Sequence, residues 1–221
     1  TIKLPKSSGK VGESLPKYDS IRLAKGEAPY VADLKFEGML HGALKFSDHP
    51  RAKILKIDTS KAEKMSGVLR VFTANDIPAE RFTGLIVADW PLMINVGENT
   101  RYVGDVLAGI VAENEKIARQ AIELIEVDYE VLKPVTDPFK ALNPESPKIH
   151  KNGNLLSNTK INRGDSKKDE KESAFVTKGT YTTQRIEHAF LEIESCLARP
   201  WHDGIEIFSQ SQGVYEDRNS I

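Results

Sequence analysis

Five histidines, at 41, 49, 150, 188 and 202, and a single cysteine, Cys196, are the side chains from which a metal or nucleophilic site would ordinarily be drawn. They are scattered. None stands in His-Glu-x-x-His, and a lone thiol cannot close an internal disulfide, build a structural zinc site by itself or hold an iron–sulfur cluster. The densest titratable group is Glu187-His188 with Glu192 and Glu194. Those types suit a metal or acid–base exchange. Their spacing alone reads better as a strand edge or loop with solvated carboxylates and a locally bonded histidine. Arg163-Gly164-Asp165 is an adhesion-type tripeptide that we read as chance, with Gly164 serving a turn. Phosphate-loop, G-x-G-x-x-G and G-x-S-x-G patterns are absent. Gln210-Ser211-Gln212-Gly213 follows a strand-like run. A neutral amide there could aim two donors at a ligand oxygen, and the glycine would admit a backbone closely. As a bare pattern it reads better as a turn leading out of a strand.

The rest of the composition narrows the classes. The chain has 221 residues, 31 Lys+Arg against 32 Asp+Glu, and 39% hydrophobic residues. That describes one or two soluble globular domains. A net charge of −1 gives no electrostatic footprint for nucleic acid or an anionic membrane. No apolar run approaches the ~20 residues of a membrane span. Thr1 to Lys10 has no apolar core of signal-peptide type; the single cysteine makes a reducing cytoplasm the expected compartment.

The elements that must position these groups alternate between strand and helix periods. Met39 to Phe46, interrupted by Gly42, is one predicted strand, and Ile54, Leu55 and Ile57 mark a second. Ser60 as N-cap with Glu63 three residues on predicts a capping box, and Gly67 a left-handed helix end. Val68 to Thr73 then returns as strand. Val106 to Ala112 is apolar enough for a strand buried on both faces. Asn114 is a candidate N-cap for a helix whose face is Ile117, Ala121, Leu124 and Ile125. Strict alternation of Ile125, Val127, Tyr129 and Val131 with Glu126, Asp128 and Glu130 predicts a half-buried strand. Residues 133–173 carry four prolines, repeated asparagines and six consecutive charges from Lys167 to Glu172. They read as a connector, with one short helix near Phe139 to Leu142 and a solvated loop over the charges. Phe175 to Thr183 is a further predicted strand. Cys196 to Ala198 and Ile205 to Ser209 flank Asp203-Gly204 as a hairpin. The region after the connector is short for a core of its own, which leads us to expect the front part of a longer protein.

Several dispersed pieces occur in a specific order. They are Ala28 to Asp33, Gly38-Met39-Leu40-His41-Gly42, Ala52-Lys53-Ile54 and Phe72-Thr73-Ala74-Asn75-Asp76. Arg101-Tyr102-Val103-Gly104-Asp105 and Val127-Asp128-Tyr129-Glu130 follow. Together they resemble the α/β hammerhead domain of the xanthine dehydrogenase and aldehyde oxidase family. Gly179-Thr180-Tyr181, Glu187 to Glu192, Cys196-Leu197-Ala198 and Ser209 to Gly213 resemble the opening of that family's molybdopterin-binding domain. Asp105 stands where many members have Glu, Val106 where Pro is frequent, and Ser211 where Thr is common.

The resemblance implies an α+β fold. Its division is a lead-in at 1–17, a hammerhead domain at 18–138, a connector at 139–173 and an incomplete molybdopterin-binding domain at 174–221. It implies a molybdenum hydroxylase, xanthine dehydrogenase-like, that hydroxylates a purine or related heterocycle with water-derived oxygen. The base glutamate and the glycine-rich cofactor loop are expected beyond Ile221, leaving no catalytic residue in this chain. Gln212 and Gly213 match the family's cofactor-binding positions, with the Gln212 amide approaching an oxygen on molybdenum. The complete protein would carry molybdopterin, with iron–sulfur clusters and FAD on other subunits or regions and none of these bound by this chain alone, which we expect to be inactive. The expected partners are the rest of the molybdenum subunit, the iron–sulfur and FAD modules and a small-molecule substrate. Relatives acting on aldehydes, carbon monoxide or aromatic acyl-CoA are the alternatives, as is a noncatalytic α+β docking module.

Overall fold

The structure, a computed structural model, describes residues 8–84 and 86–221; the first seven residues of the expected lead-in lie outside the described residues. In chain order the helices are α1 (Ser20–Ala24), α2 (Ser60–Glu63), α3 (Glu115–Ile122), α4 (Pro138–Ala141), α5 (Ser166–Glu172) and α6 (Val214–Ser220). The strands are β1 (His41–Phe46), β2 (Ala52–Asp58), β3 (Val68–Thr73), β4 (Phe82–Thr83), β5 (Trp90–Pro91), β6 (Val106–Ala112), β7 (Glu126–Val131), β8 (Cys196–Trp201) and β9 (Gly204–Ser209). The chain forms two compact units, one over 38–181 and one joining residues up to 37 with 182–219.

In the 38–181 unit, β6 lies between β1 and β3 and is antiparallel to both, with Ala112 opposite His41 and Val68. β2 and β7 form a separate antiparallel pair from Ala52↔Val131 to Asp58↔Glu126. The apolar run of β6 accounts for its central place. Ala108, Ile110 and Ala112 join Ala118, Ala121, Ile122 and Ile125 in one buried cluster. Leu107 packs instead with Ile54 and Ile94. Alanines on both partners let α3 lie close against the sheet.

Asn114 caps α3 as expected, its side chain accepting the Ile117 N–H at 3.0 Å. Gly67 has φ +84°, and a Cβ there would stand 2.5 Å from Cδ1 of Ile117. The left-handed backbone favours glycine here, but the position is the turn into β3 and not the predicted helix end, since α2 stops at Glu63 with Lys64 as a right-handed C-cap.

Several local expectations are corrected. The cap of α2 is Thr59, not Ser60, and it has no side-chain cap bond to the backbone. Ser60 is drawn away because Asp58 Oδ1 accepts both its N–H (3.1 Å) and its hydroxyl (2.6 Å). α3 stops at Ile122, so the buried stripe is Ala118, Ala121, Ile122 and Ile125, while Leu124 is exposed. Val131, predicted to share the covered face of β7, is exposed as well. The charge run forms the solvated helix α5, because the Asp165 side chain accepts the Lys168 N–H and i,i+4 pairing of Lys168 with Glu172 supports the turn. Phe175 to Thr183 forms no strand, since no described segment pairs with it. The early connector is more ordered than its composition implies. Asn154 accepts the Ile149 N–H and donates to the carbonyls of Ala141 and Pro147. His150 Nδ1 lies 2.7 Å from Asp89 Oδ2, tying this polar knot to the loop before β5. No helix among the described residues is long and apolar enough to cross a membrane.

Candidate functional site

The Gln210 to Gly213 segment is presented by the β8–β9 hairpin. Its register runs from Cys196↔Ser209 to Trp201↔Gly204, so the two turn residues are His202 and Asp203. The predicted Asp203-Gly204 turn is thus displaced by one residue: His202 takes the positive φ, 49°, and Gly204 pairs in the strand. Arg199 on β8 pairs with Glu206 on β9. Its guanidinium lies over Phe36 (4.8 Å), Trp201 (5.0 Å) and Phe208 (5.4 Å). This cation–π stack holds the strand that leads to the bend, and the sequence reading missed it. A basic residue alternating with aromatics across a hairpin was the available signal.

β9 ends at Ser209 and α6 begins at Val214. Gln212 occupies the intervening bend and is exposed. Among the described residues no group accepts from or donates to its side-chain amide. Gly213 has φ −134° and ψ 80°, outside the glycine-only region. A Cβ on it would stand 2.8 Å from a carboxylate oxygen of Glu216 and 3.5 Å from that residue's Cβ, with no backbone atom among its nearest neighbours. Local folding therefore does not demand glycine at 213. An uncommitted amide beside an unneeded glycine fits a ligand oxygen approached by two N–H donors, and fits one contact on a molybdenum cofactor rather than its whole grip.

The other candidates do not converge. Glu187 accepts the N–H of His188, whose ring stacks on Phe190 with centroids 5.3 Å apart. Glu192 accepts the Val31 N–H at 3.4 Å. Among the described residues no three His, Cys, Asp or Glu side chains form a metal-type cluster. Cys196 is exposed at the start of β8. Gly164 of the Arg-Gly-Asp tripeptide has φ +72°, and Asp165 caps α5. A shallow depression of about 720 Å³ lies along α3, lined by His41, Asn114 and alternating charges of the helix. Its charges of both signs select no ligand.

Among the described residues Asp105 is the charged side chain that is buried. It is 2% exposed. Its carboxylate accepts the N–H groups of Arg101 (2.5 Å) and Tyr102 (3.3 Å), bracing the loop into β6. Burial nonetheless pushes its carboxyl above the ordinary range. These are structural bonds.

Known proteins share both parts of this chain. Residues 25–133 match the model of the aldehyde oxidase and xanthine dehydrogenase a/b hammerhead domain. Residues 149–221 match that of the molybdopterin cofactor-binding domain. A Bacillus subtilis protein, described as a probable subunit of xanthine dehydrogenase, is 38% identical over 87% of this chain and 26% of its own length. The nicotinate dehydrogenase large molybdopterin subunit of Eubacterium barkeri is 28% identical over 96% of this chain and 49% of that protein. Among solved structures, quinoline 2-oxidoreductase from Pseudomonas putida 86 aligns with a TM-score of 0.71 and 32% identity, over 85% of this chain and 25% of that one. The chain thus spans from about a quarter to about half the length of these relatives.

Proposed function

Because the chain belongs to the aldehyde oxidase and xanthine dehydrogenase family of molybdenum hydroxylases, we propose that it is part of a large molybdenum subunit whose substrate is a purine or a related nitrogen heterocycle. The observation that carries the reading is Gln212: an uncommitted amide at a strand-to-helix bend, inside the segment matching the molybdopterin cofactor-binding domain. The heterocycle is favoured because the relatives named for xanthine, nicotinate and quinoline all bear names of nitrogen heteroaromatics. Ring nitrogen withdraws density from the adjacent carbon, the property a water-derived nucleophile requires.

When bound, the molybdenum cofactor supplies hydroxylation with oxygen from water and takes up the electron pair. This chain's part is orientation. The Gln212 amide donates to an oxygen ligand, Gly213 leaves room for it, and the Arg199 stack steadies the hairpin that delivers both. The proposed division keeps 18–138 as hammerhead, 139–173 as connector and 174–221 as the opening of the cofactor domain. Iron–sulfur and FAD modules would carry the electrons away.

The test uses the full-length, cofactor-loaded protein, with molybdenum content measured beside the rate. Gln212→Ala should lower turnover of hypoxanthine or xanthine by up to roughly 10²–10³-fold, the loss expected for one preorganised donor. Wild-type turnover at equal molybdenum would overturn the role of Gln212. Faster oxidation of a simple aldehyde than of any purine or pyridine would overturn the substrate class.

A further inference from the structure

A donor amide can meet a fixed oxygen repeatedly only if the backbone carrying it is itself held, and β9 has already ended at Ser209. Ladder bonds therefore do not reach Gln212. One bond does bracket it: Ser211 Oγ accepts the Gly213 N–H at 2.9 Å, closing a side-chain-to-backbone ring around the Gln212 backbone. No side chain caps α6 at Gly213, so this hydroxyl is the restraint on the amide that follows Gln212. Short hydroxyl side chains favour such local loops because the oxygen reaches the second following N–H without strain.

We propose that Ser211 is a positioning residue for Gln212, its hydroxyl setting the direction in which the Gln212 amide leaves the backbone. The proposal rests on the reading of Gln212 as a donor to an oxygen of the molybdenum cofactor. The division of labour follows from the chemistry of the two side chains. Ser211 commits an oxygen lone pair to the backbone, while Gln212 keeps both N–H donors for the ligand. Threonine at 211 can make the same bond; alanine cannot. With the ring open, the bend samples more backbone conformations, and the fraction with the amide correctly aimed falls.

The experiment compares Ser211→Ala, Ser211→Thr, Gln212→Ala and the Ser211→Ala/Gln212→Ala double variant in the full-length, cofactor-loaded protein, at measured molybdenum content. Ser211→Ala should lower kcat about three- to tenfold, the effect of one net hydrogen bond, and Ser211→Thr should restore it. In the Gln212→Ala background, Ser211→Ala should cost nothing more, since there is no amide left to aim. Independently of turnover, hydrogen exchange over residues 210–216 should quicken in Ser211→Ala and return to the wild-type rate in Ser211→Thr. If Gln212→Ala is impaired while Ser211→Ala is not, positioning is refuted and the reading of Gln212 stands. An equal cost of Ser211→Ala with and without Gln212 would show action by another route and also refute it. Wild-type turnover of Gln212→Ala at equal molybdenum would sink the reading of Gln212, and the positioning role with it.

Discussion

Ile125→Ala tests the packing on which the hammerhead depends. Ile125 is 3% exposed, lies just past the end of α3 and joins the cluster that includes Ala62, Ala108, Ile110, Ala112, Ala118, Ala121 and Ile122. Truncation removes three buried carbons, worth about 0.8 kcal/mol each, or about 2.4 kcal/mol of transfer free energy. A cavity cost adds to this, because the surrounding cluster, which also packs Ile57, Val68, Val71, Ile117 and Val127, can relax only in part around the missing carbons. The expected loss is therefore about 3–4 kcal/mol, within the range for such truncations. Leu124, its neighbour in sequence, is 37% exposed. Leu124→Ala should cost less than about 1 kcal/mol. The assay is equilibrium urea unfolding in a Trp201→Phe background, so that Trp90 fluorescence alone reports the 38–181 unit. The variants should shift the midpoint without changing the slope. Equal costs for the two substitutions, or less than about 1 kcal/mol for Ile125→Ala, would refute the assigned packing.

Asp105 gives a pH prediction. Its carboxyl is raised by burial. The folded state therefore holds its proton more tightly than the unfolded chain, so the stability it contributes is full below the unfolded value near ~3.9 and is lost as pH rises through the folded value. Asp105→Asn keeps an acceptor oxygen for the Arg101 and Tyr102 N–H groups and removes the charge. Its stability relative to wild type should grow from pH 4 upward, and parallel stability–pH curves would exclude the mechanism. Limited trypsinolysis should cut first after Lys160 or Arg163, in an exposed stretch without regular structure; first cleavage within 106–132 would contradict the fold. His150→Ala removes the contact with Asp89. Cleavage after Lys151 should then accelerate, and an unchanged rate would show that the contact does not hold the knot.

The elements built from local rules were legible in the sequence. Val106 to Ala112 reads as a buried strand because no polar residue interrupts it, and Asn114 marks a helix start because few other residues satisfy that backbone position. The order of the hammerhead pieces was legible too. Tertiary structure decided where alternatives competed. Ser60 could cap α2 until Asp58 took its hydroxyl and its N–H. Leu124 and Ile125 are equally apolar, and only the end of α3 at Ile122 sends one to solvent and the other into the core. Phe175 to Thr183 has strand composition, but a strand needs a partner. The Arg199 stack joins residues as far apart as 36 and 208, and the Asp89–His150 contact spans 61 positions. Periodicity reports what a residue can do beside its near neighbours; which distant groups it meets is fixed only when the sheets and loops close.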